Sequence, residues 1–268
     1  MNKVIGFIGC GNMAGAIIGG MIKSNLIIPE KIMASAKTKK NLEKIEKEYN
    51  IKTTLDNKEV ARVSDFLILA VKPYMHEEVL NEIKKDIKKG AIIVTIAAGI
   101  SIDFMKKALG EDKLIVKAMP NTPAMVGEGM TALSFCEEIS EDIKDEVKNI
   151  FNSFGRSEIL DENMMDGFTA LCGSSPAYVY MMIEAMADGG VLQGIPRKEA
   201  YKMAAQAVLG AAKMVLDTGI HPGELKDNVC SPKGTTIEAV SKLEERGFRT
   251  SIIEAMRVCA DKSREMSQ

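Results

Sequence analysis

One short pattern limits the folds open to this chain more than any other. The apolar run Val4–Ile8 ends at Gly9-Cys10-Gly11-Asn12-Met13-Ala14, and helical spacing takes over at once. Gly-x-Gly-x-x-Ala between a buried strand and a helix is the dinucleotide fingerprint of a βαβ unit. Gly9 permits the tight turn, Gly11 lets a pyrophosphate approach the backbone, and Ala14 lets the helix lie close on the strand. The helix start then presents free amides and a partial positive charge to phosphate. Ile8, Gly9, Cys10, Gly11, Asn12 and Met13 are therefore the first candidate cofactor contacts.

The same alternation continues through the first half. Val4–Ile8, Lys31–Ala36, Asp65–Val71, Ala91–Ala97 and Leu114–Met119 read as strands, and Arg156–Leu160 as a closing one. Helical spacing covers Met13–Ser24, Lys39–Glu48, His76–Ile87 and Ile139–Ser153. Apolar strands joined by helical crossovers predict a parallel sheet covered on both faces. After Asp161 the β-rich runs stop, and Met, Ala and Gly accumulate at helical spacing over Pro176–Leu192, Lys198–Asp217, Thr236–Arg246 and Thr250–Met266. The first of these is apolar nearly all round, so it is expected to be buried on every side.

A helical domain of about a hundred residues is small for a core that encloses such a helix. Burial against a second copy is the remedy, which predicts an obligate dimer. The expected fold is α/β: an N-terminal Rossmann-type, doubly wound, mostly parallel sheet over 1–162, followed by an all-α C-terminal domain over 163–268 for substrate binding and dimerisation.

Composition removes whole classes of function. Charged residues make up 27% and the formal net charge is −2, with no basic excess for nucleic acid. No apolar run reaches the ~18 residues needed to span a bilayer, and glycines break the N-terminal run where a signal peptide stays apolar. Five cysteines, odd in number and outside CxxC pairs, argue against a disulfide framework and point to a reducing cytoplasm. With two histidines, His76 and His221, neither a metal site nor a histidine triad is expected. His76-Glu77-Glu78 lacks the second histidine of a zincin helix, and His221 beside Pro222 and Gly223 reads as a turn residue.

The end of the second strand selects the cofactor. An acid there grips the ribose 2′-hydroxyl of NAD, but Ser35-Ala36-Lys37-Thr38-Lys39-Lys40 offers no acid and three lysines. Lysines at a helix start oppose its dipole, so an external anion is expected. Ser35 and Lys37 become 2′-phosphate contacts, giving NADP, with NADPH favoured and NADH as the alternative. Further candidates stand at later strand ends: Ala70, Val71, Lys72 and Pro73, then Ala97 and Ala98, then Asn121 between two prolines.

Two helix starts carry the substrate argument. Ser174-Ser175-Pro176 supplies serines for an N-cap with proline in the first turn. Asn228, Ser231, Gly234, Thr235 and Thr236 precede another helix, where Thr235 and Glu238 read as a capping box. Hydroxyls, amides and helix dipoles with hardly a titratable group suit a small carboxylate.

Nine segments, GFIGCGNMAGAII, MASAK, AVKPY, AAGIS, MPNTPA, GSSPAYVY, ADGGVLQGIPR, HPGELKDNV and SPKGTTI, resemble the pyrroline-5-carboxylate reductase family in its order over essentially the whole chain. The resemblance implies reduction of 1-pyrroline-5-carboxylate to L-proline with NAD(P)H, the last step of proline synthesis. It implies C-terminal helices interlocked in a dimer, with further assembly to a decamer. Ser35, Asn57, Lys72, Ala97 and Ala98 would line the cofactor beside the glycine loop. Loop 231–236, with Ser231 and Gly234, would grip the substrate carboxylate, and Glu162 and Asn228 would lie at the site. The Thr236 position is the one proposed to meet the ring nitrogen. Ser175 stands where a glycine is usual and Ala36 where a hydroxyl or arginine is frequent, so the 2′-phosphate contact falls to Ser35 and the lysines.

Such chemistry asks little of titratable groups, because a protonated cyclic imine accepts hydride without an enzymic acid. The alternatives are another NADP-dependent imine or hydroxyacid reductase, or a non-catalytic NADP-binding sensor. A hydroxyacid enzyme would be expected to place a lysine or histidine in its helical domain, and the 176–192 helix has neither.

Overall fold

A computed structural model of the chain describes residues 1–266. Its first half alternates strand and helix: β1 (Ile5–Ile8), α1 (Asn12–Lys23), β2 (Ile32–Ser35), α2 (Lys39–Tyr49), β3 (Lys52–Thr54) and α3 (Asn57–Val63). Then follow β4 (Phe66–Leu69), α4 (His76–Ile83), β5 (Ile92–Thr95), α5 (Ile102–Leu109) and β6 (Leu114–Pro120). The sheet finishes with β7 (Gly129–Phe135), α6 (Glu141–Asn152) and β8 (Gly155–Ile159). The remaining helices are α7 (Met165–Phe168), a π-helical turn Thr169–Gly173, α8 (Ser175–Leu192), α9 (Arg197–Thr218), α10 (Pro222–Asn228), α11 (Thr235–Glu245) and α12 (Phe248–Met266).

The eight strands lie in the order β3-β2-β1-β4-β5-β6-β7-β8. All pair in parallel except β6 with β7, which makes this the expected mostly parallel, doubly wound sheet. Every residue of β1, β2, β4 and β5 is buried, as strands covered on both faces must be. Phe7, Phe66, Phe151 and Phe154 fill the core beside Ile17, Ile18 and Met21 of α1. Each such side chain contributes about 1.5–3 kcal/mol by leaving water.

The register aligns the strand ends. Ile8 stands opposite both Ser35 and Leu69, Leu69 opposite Thr95, and Ser35 opposite Thr54. The connections that follow these residues therefore leave one edge of the sheet. Strand order reverses between β1 and β4, the position where such sheets bind ligands.

Several expectations need correction. β3 is polar and lies at the sheet edge, so it lacks the apolar run that marks the inner strands. β7 is broken by Gly129, Thr131 and Ser134 and escapes the same test. Short α3 and α10 are likewise absent from the sequence pattern; each has its own cap, the Asp56 carboxylate accepting from Lys58 N–H and His221 Nδ1 from Gly223 N–H.

The chain divides into two compact units, Met1–Gly173 with the chain from Cys259 onward, and Ser174–Val258. Within the second, α8 and α9 pack together through small residues, and its buried hydrophobic residues are Ala187, Ala200 and Ala204. The expected all-round burial of the 176–192 helix is not met within this chain: Tyr180, Met181, Met186 and Leu192 are exposed.

Candidate active site

The glycine loop is held at three points. Gly9 N–H donates to Ser35 C=O at 2.9 Å, Ala70 N–H donates to Ile8 C=O at 2.8 Å, and Gly15 N–H closes the first helical bond on Gly11 C=O at 3.0 Å. Gly9 has φ +101°, and a methyl group there would lie 2.7 Å from the Ala70 carbonyl oxygen. Glycine is thus demanded twice, by backbone conformation and by contact. A methyl group on Gly11 would meet nothing within 4 Å, so the loop is open on its outer side.

Gly11 is the N-cap of α1 without a side-chain bond, and the first turn carries no acid. The amides of Asn12 and Met13 remain outside the helical ladder. Beside the loop a cleft of about 380 Å³ is lined by Cys10, Gly11, Asn12, Asn41, Lys44 and Glu48. These features fit a dinucleotide pyrophosphate.

Lys37, Lys39 and Lys40 are exposed, and among the described residues none forms an ion pair. Ser35 departs from the expected pose. It is fully buried, and its hydroxyl donates inward to Asn57 Oδ1 at 2.7 Å, with Phe7 C=O at 3.4 Å. The Asn57 amide in turn donates to Glu82 Oε2 at 2.8 Å. Exposed lysines are therefore the cations at this strand end, while Ser35 and Asn57 brace the end of β2 to α3.

Ala70 and Val71 are half-buried and lead to exposed Lys72 and Pro73. Ala97 is buried and Ala98 half-buried, so a flat ring has small side chains beside it. Two other expected contacts are internally satisfied. Asn121 accepts from Met130 N–H at 2.8 Å and donates to Cys172 C=O at 2.9 Å, clamping β7 and the π-helical turn to the end of β6. Glu162 accepts from Ile102 N–H at 3.0 Å and pairs with the buried Lys117 at 3.2 Å. It holds the start of α5.

Burial pushes the Cys10 thiol up to about 12, and it raises Cys172 as well. Both stay protonated near neutrality, so neither offers a thiolate.

In the second unit, Ser174 is the N-cap residue of α8, and Pro176 lies in its first turn. Asn228 ends α10, and the loop to α11 runs through exposed Ser231 and left-handed Lys233, φ 57°. The capping box is corrected: Gly234 is the N-cap, so Thr235 and Thr236 are the first helical residues and Glu238 falls one position too late. Gly234 N–H donates to Ser231 C=O at 3.0 Å, and a methyl group on Gly234 would lie 2.3 Å from Ser231 Oγ. Ser231 is folded against the start of α11, whose first amides have no partner within the helix and whose Thr235 is exposed and Thr236 half-buried.

Sequence reasoning missed one buried group. His76 is fully buried, with Nδ1 3.2 Å from Lys72 C=O and Nε2 3.0 Å from Thr95 Oγ1. Burial lowers its pKa from 6.5, opposed by the Lys72 carbonyl. Its position four residues past Lys72 was the available signal.

A family model described as pyrroline-5-carboxylate reductase dimerisation matches residues 162–266, and one described as NADP oxidoreductase coenzyme F420-dependent matches 4–99. Pyrroline-5-carboxylate reductase of Escherichia coli K12 is 48% identical over 268 residues, the whole of both chains. The chain belongs to the pyrroline-5-carboxylate reductase family. Among solved structures, the Coxiella burnetii pyrroline-5-carboxylate reductase is 32% identical with TM-score 0.95 and complete coverage of both chains. The Plasmodium falciparum pyrroline carboxylate reductase with NADP bound is 32% identical with TM-score 0.89, covering 100% of this chain and 99% of its own. The matched dimerisation region contains the exposed apolar helices of the second unit.

Proposed function

We propose that this protein reduces 1-pyrroline-5-carboxylate to L-proline with NADPH, the final step of proline biosynthesis, and that NADH is the weaker donor. The observation that carries this reading is the open glycine loop at the switch point of the sheet, in a chain of this family from end to end. Residues 1–162 take the cofactor and 163–268 take the substrate and the second copy.

When bound, the nicotinamide supplies the hydride. Amides of Gly11, Asn12 and Met13 take the pyrophosphate, and Lys37 with its neighbouring lysines takes the 2′-phosphate. Ala97 and Ala98 allow the ring to lie flat, and the Lys72 loop closes the opposite wall. The Ser231–Thr236 loop holds the substrate carboxylate on the amides that start α11, with Thr236 beside the ring nitrogen. The substrate arrives as the iminium, so two electrons and one hydrogen reach its carbon while the nitrogen becomes an amine without an enzymic acid. Positioning thus carries the catalysis. The protein works as an interlocked dimer in the cytoplasm, and dimers assemble further into a decamer. No described helix is long and apolar enough to cross a membrane.

The test is steady-state oxidation of NADPH and NADH with pyrroline-5-carboxylate. Proline formation with a higher kcat/KM for NADPH is expected. Absence of proline with both cofactors, in folded dimeric protein, would overturn the reading.

A further inference from the structure

We propose that His76 is a positioning residue of the cofactor site, tying the Lys72 loop to the Thr95–Ala97 turn so that the two walls expected to face the nicotinamide half of the cofactor are fixed against each other. This rests on the placement of NADPH given above. The direction of each bond follows from its atoms. Lys72 C=O only accepts, so Nδ1 carries the ring proton at 3.2 Å. Nε2 is then an acceptor, and the Thr95 hydroxyl donates to it at 3.0 Å. Thr95 Oγ1 still accepts from Ala97 N–H at 3.3 Å. One directed chain runs from the Ala97 amide through Thr95 and the His76 ring to the Lys72 carbonyl.

On that placement of NADPH the chain ends in the two cofactor walls, at exposed Lys72 and at the turn from Ala97 to half-buried Ala98, and its middle is sealed, with His76 and Thr95 fully buried. β4 and β5 are adjacent in register, Leu69 opposite Thr95, and their backbone pairing runs on to Ile96 N–H donating to Leu69 C=O at 3.3 Å; beyond that the His76 ring joins the Lys72 carbonyl to Thr95. A leucine of similar bulk would fill the space and leave the buried Thr95 hydroxyl without its acceptor and the Lys72 carbonyl without its ring donor. The geometry also separates the two halves of the role. An asparagine amide occupies the place of Nδ1 and keeps the bond to Lys72, while a glutamine reaches the place of Nε2 and keeps the bond to Thr95.

The experiment measures NADPH affinity by cofactor fluorescence in the absence of second substrate, alongside thermal unfolding. His76→Leu is expected to raise the Kd about tenfold, the size of one lost buried hydrogen bond. His76→Asn and His76→Gln should each recover part of that loss. Thr95→Val should weaken binding while Thr95→Ser restores it, and the His76→Leu, Thr95→Val double variant should fall well short of additivity. If His76→Leu does not fold, the Asn, Gln and Thr95 variants carry the same test. Unchanged NADPH affinity in folded variants whose Tm has fallen would overturn the proposal, leaving His76 a core residue only. Wild-type protein that binds NADPH without forming proline would sink the reductase reading while leaving this comparison intact.

Discussion

The sheet unit and the helical unit spend their apolar residues differently. In the first, strands and helices of one chain bury Phe7, Ile17, Phe66 and Phe151 completely. In the second, the buried residues are small, and Tyr180, Met181, Met203 and Leu209 face outward. A surface this apolar over successive helices is an interaction surface. The contrast teaches where each function would be assembled: the glycine loop stands on a core that one chain completes, whereas the helical unit, matched by a dimerisation family model, exposes the apolar surface that the proposed dimer would cover.

The largest expected effect strikes the self-contained half. Gly9→Ala imposes about 1–3 kcal/mol of backbone strain and pushes the loop off the Ala70 carbonyl, so NADPH affinity should fall roughly a hundredfold, or about 2.7 kcal/mol. Fluorescence titration with a melting curve reads both. Affinity within twofold of wild type would break the contrast from this side.

Next comes the helical half. On an isolated surface, Met181→Glu would change stability by no more than about 0.5 kcal/mol. Buried against a partner, it should raise the dimer Kd by at least about tenfold, visible by sedimentation equilibrium. A variant as dimeric as wild type would show that α8 is a free surface.

Gly234→Ala sharpens the comparison within the loop. Its methyl group displaces Ser231 Oγ, so KM for pyrroline-5-carboxylate should rise about tenfold. The φ of −79° suits any residue, so Tm should hardly move. A large fall in Tm at unchanged KM would mean that the loop is structural.

The smallest effect is a pH dependence in the sheet unit. His76 has a folded pKa below 6.5, and the groups bonded to its ring, Lys72 C=O and the Thr95 hydroxyl, do not titrate near neutrality. The unfolded chain therefore binds a proton that the folded one resists. This contribution is complete above pH about 6.5 and is lost as the pH falls from there toward the folded pKa. His76→Gln should flatten the Tm profile between pH 7.5 and 5.5. An unchanged slope would show that another group sets it.

Much of the fold, and the glycine loop of the candidate cofactor site, is legible in the amino-acid sequence. The inner strands announce themselves because both faces are buried, and the Gly9–Ala14 pattern marks the edge where phosphate belongs. Edge strand β3 and interrupted β7 are hidden because their polar residues carry no run of apolar neighbours. Side-chain direction is hidden too. Ser35 at a strand end is equally consistent with pointing outward to phosphate or inward to Asn57, and only the register of β2 with β1 and β3 decides. Thr235 and Glu238 have capping-box spacing, yet Gly234 takes the cap because Ser231 already folds beneath it. His76 shows only its four-residue spacing from Lys72, since its other partner, Thr95, lies on a neighbouring strand.

The most direct measurement of the central claim uses NADPH carrying deuterium at the transferable position of nicotinamide C4. The protein is incubated with it and pyrroline-5-carboxylate, and the proline is analysed by mass spectrometry. Direct hydride transfer to the iminium carbon predicts proline bearing one deuterium on the ring carbon next to nitrogen. Unlabelled proline, or none from folded dimeric protein, would contradict the account.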